Sequence, residues 1–157
     1  MEVRNILPQE SGDDAIMLII PRNMMDELFQ MGKEAYPNEG CGFLLGTLEA
    51  DGEKRVQVLH RTTNINTSRP KDRFEIDPRE FLLIEKEAKK DGREILGFFH
   101  SHPDHPANPS QFDSEMAWPN YSYLILSVLG GNEVAARSWI FDEESRKFFE
   151  EDIVIKG

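Results

Sequence analysis

The chain has 157 residues, 30% of them charged, with a formal net charge of −11. That balance argues against general affinity for nucleic acid or for an anionic membrane, since both need a basic face. A single cysteine, Cys41, excludes an intrachain disulfide and suits a reducing, cytoplasmic setting. Residues 1–14 read as a polar lead without the pattern of a secretory signal, and one domain is expected over 15–157. Ile16–Ile20 is a short apolar strand, far too short to span a bilayer. Pro21 suits the first turn of a helix. Met24, Leu28 and Met31 then recur at helical spacing beside Met25 and Phe29, as core packing. Tyr36-Pro37-Asn38 breaks that helix. Cys41–Leu48 and Arg55–His60 read as paired strands joined through an Asp51-Gly52 turn. Arg61–Arg73 is a polar loop holding Asn64, Asn66, Thr67 and Ser68, and Phe74–Ile76 reads as a brief extended piece. Asp77-Pro78-Arg79-Glu80 opens a helix with Phe81, Ile84 and Ala88 on one face, and Gly92 ends it. An apolar strand follows through Ile95, Leu96, Phe98 and Phe99 to His100 and His102, stopped by Pro103. After a loop, a helix is expected over Ser110–Trp118. The strands Tyr123–Leu129, Val134–Phe141 and Phe148–Ile155 follow it as a meander. The order predicts a single α/β domain with one mixed, curved sheet and about three helices.

The stretch from Gly97 to Asp113, GFFHSHPDHPANPSQFD, concentrates the chemistry. Strand side chains alternate, so His100 and His102 point the same way. Ser110 and Asp113, three residues apart on a helix, share a face and can look back at them. Two histidines, an aspartate and a water make a four-coordinate zinc site with an open catalytic position, one zinc per chain. Each residue also has a plainer reading. Ser110 with Asp113 is a capping-box pattern, Asp113 a first-turn acid favoured by the helix dipole, and Glu39 in isolation a solvated loop acid. His105 is read as a loop histidine, His60 as structural, and Cys41 as a buried thiol between two glycines. No nucleophile elbow, P-loop or dinucleotide fingerprint occurs, and the zinc-deaminase pattern is absent.

His100, His102, Pro103, Ser110 and Asp113, read as H-x-H-P-x6-S-x-x-D, resemble the JAMM (MPN-plus) metalloprotease motif. The segment PNEGCGFLLG, Pro37–Gly46, resembles the glutamate segment of the same family. The resemblance spans most of the chain and implies a sheet flanked by helices, like that of the cytidine deaminases. It assigns Glu39 as the general base and Ser110 as the hydroxyl that steadies the oxyanion. It implies a zinc metallopeptidase or isopeptidase of the short prokaryotic type. Such enzymes cut after the C-terminal Gly-Gly of a ubiquitin-like or sulfur-carrier protein, and the leaving group stays open between a single amino acid and a protein lysine. The expected substrate is an extended tail that can add to a sheet edge, with Thr62–Arg73 as a flank. A non-catalytic MPN-type interaction module and a RadC-like repair protein are the alternatives. The filled motif speaks against the first. The acidic balance and the lack of a helix-hairpin-helix region speak against the second.

Overall fold

The computed structural model describes residues 17–157, so the polar lead over 1–14 lies outside the described residues. In chain order the elements are β1 Met17–Pro21, α1 Arg22–Ala35, β2 Cys41–Leu48, β3 Glu53–Thr62, α2 Pro78–Lys90, β4 Glu94–Pro103, α3 Gln111–Met116, β5 Ser122–Leu129, β6 Glu133–Asp142 and β7 Lys147–Lys156. The expected mixed α/β domain is present, and its sheet curves far enough to close. The strands run β1-β3-β2-β4-β5-β6-β7, and β7 returns to β1. β1 pairs in parallel with both neighbours, although it reaches only Glu53–Arg55 of β3. Closure leaves no terminal strand among the described residues, but beyond Arg55 the outer side of β3 is not paired by β1.

β1, β2, β4 and β5 are buried in near-continuous runs because both of their faces are covered. On one face Leu18, Ile20, Leu44, Val56, Leu124 and Leu126 pack with Met25 and Leu28 of α1. On the other, Phe43, Phe98, Tyr123, Ile125 and Trp139 pack with Ile84 and Ala88 of α2. Of the α1 methionines, Met25 is buried, while Met24 and Met31 pack against the cluster from partly buried positions. Gly42 in β2 allows a close approach: a Cβ there would meet the His60 carbonyl oxygen and Phe99 Cζ, each at 2.4 Å. No helix among the described residues is long and apolar enough to cross a membrane.

Beyond shifts of one or two residues at strand ends, some details differ from the sequence-based expectation. Pro21 closes β1, paired with Lys156, and serves as N-cap of α1 instead of entering its first turn. Phe74–Ile76, expected as a brief extended piece, joins no sheet, because the groups of Glu75 are taken by the loop itself: its N–H by Asn64 Oδ1 and its carbonyl by the Ile65 N–H. α3 stops at Met116. Ala117 is already extended, and Trp118 precedes a proline, a position that disfavours helical backbone.

Candidate metal centre

Residues 98, 100 and 102 share the face of β4 that α2 covers, so the strand period alone turns His100 and His102 to the same side as Phe98. Ser101 between them faces the opposite way and clamps the preceding loop. Its N–H donates to the Gly40 carbonyl at 3.0 Å, and its Oγ accepts from the Gly40 N–H at 2.8 Å. This fixes Glu39, one residue back, against the histidine strand. The Glu39 N–H donates in turn to the Pro70 carbonyl at 2.7 Å, which ties in the loop after β3.

α3 carries Asp113 into the same place. Ser110 caps the helix: its Oγ accepts from the Asp113 N–H at 3.0 Å, and its own N–H donates to Asp113 Oδ2 at 2.9 Å. The capping box is therefore complete, and it aims the aspartate. Oδ2 lies 3.2 Å from His100 Nε2 and 3.2 Å from His102 Nε2, and the two nitrogens are themselves 3.2 Å apart. Three donor atoms form an equilateral triangle. A tetrahedral ion with ligand distances of about 2.0 Å has edges of about 3.3 Å, so the triangle matches one face of such a tetrahedron. Neutral imidazole nitrogens with one carboxylate oxygen are also a donor set that zinc accepts. Glu39 offers a carboxylate oxygen within 4.8 Å of both histidines without belonging to that triangle. Its Oε1 is buried and has no hydrogen-bond partner among the described residues.

The electrostatics follow from burial. His100 is fully buried, and desolvation lowers its pKa and favours the neutral ring that a metal needs. Burial pushes the Asp113 carboxyl upward, but His100, His102 and the Ser110 N–H outweigh it and hold the group ionised. Glu39 has no such partners. Burial, then the charges of Asp113 and Asp72, push its pKa up to about 9. His102 donates from Nδ1 to the Pro106 carbonyl at 3.1 Å, which leaves its Nε2 lone pair for the triangle. Beside these groups opens a cleft of about 380 Å³, lined by Glu39, His102 and Ser110 and walled by Arg69, Arg73 and Phe112. The Arg73 guanidinium stands 4.6 Å over the Phe112 ring and joins the loop wall to the helix wall.

All five sequence-predicted site residues, Glu39, His100, His102, Ser110 and Asp113, thus come together. His105 also lines the cleft, and its carbonyl accepts from Ser127 Oγ. His60 stands apart, partly exposed, 3.6 Å from Glu80. Cys41 is buried, and desolvation pushes its thiol up to about 12, which is unfit for a nucleophile. Sequence reasoning missed Ser101, which was hidden inside H-x-H as a bystander.

The family profile of prokaryotic homologs of the JAB domain matches residues 21–142. The chain belongs to this family. Among its relatives, the Desampylase of Haloferax volcanii is 37% identical over 108 residues, covering 68% of this chain and 73% of that protein. The Desampylase of Pyrococcus furiosus is 32% identical over 154 residues, 96% of this chain and 100% of its own length. A probable TtuB-protein conjugate cleaving protease of Thermus thermophilus is 30% identical over 119 residues, 76% of each chain. The solution structure of a Desulfitobacterium hafniense protein superposes with a TM-score of 0.78 at 34% identity, over 89% of this chain and 93% of that one. In this JAB family member, the centre just described falls within the matched residues.

Proposed function

We propose that the chain is a zinc-dependent isopeptidase-type hydrolase that cuts the amide bond after the C-terminal Gly-Gly of a ubiquitin-like or sulfur-carrier protein. The observation that carries this reading is the 3.2 Å triangle of His100, His102 and Asp113, with the unpartnered Glu39 carboxyl beside it. The names of the relatives, desampylases and a conjugate-cleaving protease, support the same class of substrate.

In this reading His100 Nε2, His102 Nε2 and Asp113 Oδ2 hold the zinc. The ion, when bound, supplies Lewis acidity and lowers the pKa of water from 15.7 toward roughly 7. Glu39, restored to a carboxylate beside a divalent cation, takes the proton of the attacking water at Oε1 and later gives it to the leaving amine. The Ser110 Oγ already accepts from the Asp113 N–H. Its hydrogen remains free to donate to the carbonyl oxygen as that atom gains charge. A cleft of about 380 Å³ admits an extended chain and excludes a folded domain, so the scissile bond lies in a tail. Glycines there let the backbone approach closely, having no Cβ. The loop that contributes Arg69 and Arg73 is the flank that takes the tail.

The test uses the zinc-loaded protein with ubiquitin-fold proteins carrying one extra residue after Gly-Gly, or joined through a lysine. Intact mass reads the products. A free Gly-Gly end should appear with the wild type and vanish with Glu39→Gln, which keeps its zinc by elemental analysis. His100→Ala and Asp113→Ala should lose metal and cleavage together. Cleavage of unrelated unfolded peptides with no preference for glycine would replace this substrate by peptides in general.

A further inference from the structure

The two histidines are not held alike. His102 is fixed by its Nδ1 bond to the Pro106 carbonyl. His100 is fully buried, and its Nδ1 has no hydrogen-bond partner among the described residues. A metal-binding imidazole ordinarily donates its second N–H to a carboxylate, carbonyl or water, and that bond sets the ring plane. Rotation about Cβ–Cγ of histidine is otherwise soft and broad. A swing there would carry Nε2 off the triangle.

What faces the His100 ring is Phe74. The two rings are stacked, with centroids 4.1 Å apart and planes 20° from parallel. Phe74 belongs to no helix or strand, so its own placement needs a cause. Asn64 supplies it. The Asn64 carboxamide donates from Nδ2 to the Arg73 carbonyl at 2.8 Å, and its Oδ1 accepts from the Glu75 N–H at 3.0 Å. One side chain thus grips the backbone on both sides of Phe74. The Ile65 N–H donates to the Glu75 carbonyl at 3.0 Å, and Asn66 Nδ2 to the Glu75 carboxylate at 2.9 Å. A loop without regular structure is thereby fixed at the residue that stacks on His100.

We propose that Phe74 is a positioning residue for His100: its stacked ring sets the imidazole plane where no described residue bonds Nδ1, and Asn64 holds that ring in register. This rests on the reading of His100 as a metal ligand. Phe74 also lines an apolar pocket with Ile65, Ile76 and Trp118. A mere filler of that pocket would be replaceable by leucine, whereas a ring that sets a plane would not.

The experiment compares Phe74→Leu, Phe74→Tyr and Asn64→Ala in the full chain. Zinc affinity is read by competition with a chromophoric chelator, the His100 ring by its side-chain ¹⁵N resonances, and the metal-free fold by thermal melting. Phe74→Leu should weaken zinc by about 10–100-fold, the range for lost outer-shell partners, and broaden the His100 ring signals. Phe74→Tyr should restore both. Asn64→Ala, which keeps the ring but frees it, should fall between them. Wild-type affinity and sharp His100 signals in Phe74→Leu would overturn the proposal, as would equal losses in the leucine and tyrosine variants. If Phe74→Leu fails to fold, Asn64→Ala decides, and unchanged affinity there counts against it. His100→Ala, run alongside, separates the two failures: undiminished zinc binding in that variant removes the ligand reading itself.

Discussion

Glu39 is the residue whose chemistry depends most on its surroundings. An acid with one carboxylate oxygen buried and unpartnered cannot stay ionised cheaply, and its pKa accordingly rises from 4.5 to about 9. The metal-free folded state therefore keeps a proton that the unfolded chain releases. Stability from this group is fully present below pH 4.5 and is lost as pH rises toward 9. Glu39→Gln carries no such proton. In the metal-free protein its unfolding free energy should match the wild type at low pH and exceed it increasingly across that window. Chemical denaturation at several pH values reads the difference. A constant gap between the two proteins would mean that Glu39 is solvated in solution. Zinc should flatten the wild-type curve, because a nearby cation favours the carboxylate.

At the scale of the element, α3 is six residues long and is held mainly by its capping box. Ser110 serves the cap and faces the cleft, so the two roles must be separated by measurement. Ser110→Ala should cost about 1 kcal/mol of stability through the cap, and about 10²–10³ in kcat if the hydroxyl steadies the oxyanion. Thermal melts taken with the kinetics decide it, and an unchanged kcat in a folded variant leaves the cap alone. The cap was legible in the sequence, because S-x-x-D reports a local geometry that four consecutive residues fix among themselves, whereas the oxyanion role is what the family resemblance implies. The H-x-H pair was legible for the same reason: strand alternation is local. Ser101 gave no signal, since its value lies in a bond to Gly40, 61 residues away in the chain. Phe74 reads as part of a brief extended piece, and the Asn64 clamp that holds its backbone spans nine to eleven residues of chain. The order of strands and helices could be read from apolar periodicity. Closure of the sheet could not, since it depends on a short β1 that pairs three residues with β3 and five with β7.

At the scale of the whole molecule, that closure creates a problem of its own. Lys54 of β3 and Glu151 of β7 are both buried, with the ammonium 3.9 Å from Oε2. Lys54 Nζ also donates to Ser122 Oγ at 2.8 Å and to the Asn120 carbonyl at 3.2 Å, while Ser138 Oγ donates to Glu151 Oε1 at 2.7 Å. Desolvation lowers the Lys54 pKa and the Glu151 carboxylate opposes it. The network reaches β3, β5, β6 and β7 and uses none of the candidate catalytic residues. Taking away one member strands the other in the core. Lys54→Met should lose about 3–5 kcal/mol, the usual cost of an uncompensated buried charge. Adding Glu151→Gln, which keeps an acceptor for Ser138, should recover more than half of that loss. Denaturant unfolding of both variants and of Glu151→Gln alone completes the cycle. Strictly additive losses would show that the two groups do not stabilise each other. Zinc affinity should stay the same in every folded variant, because the pair supports the closed sheet and not the metal centre.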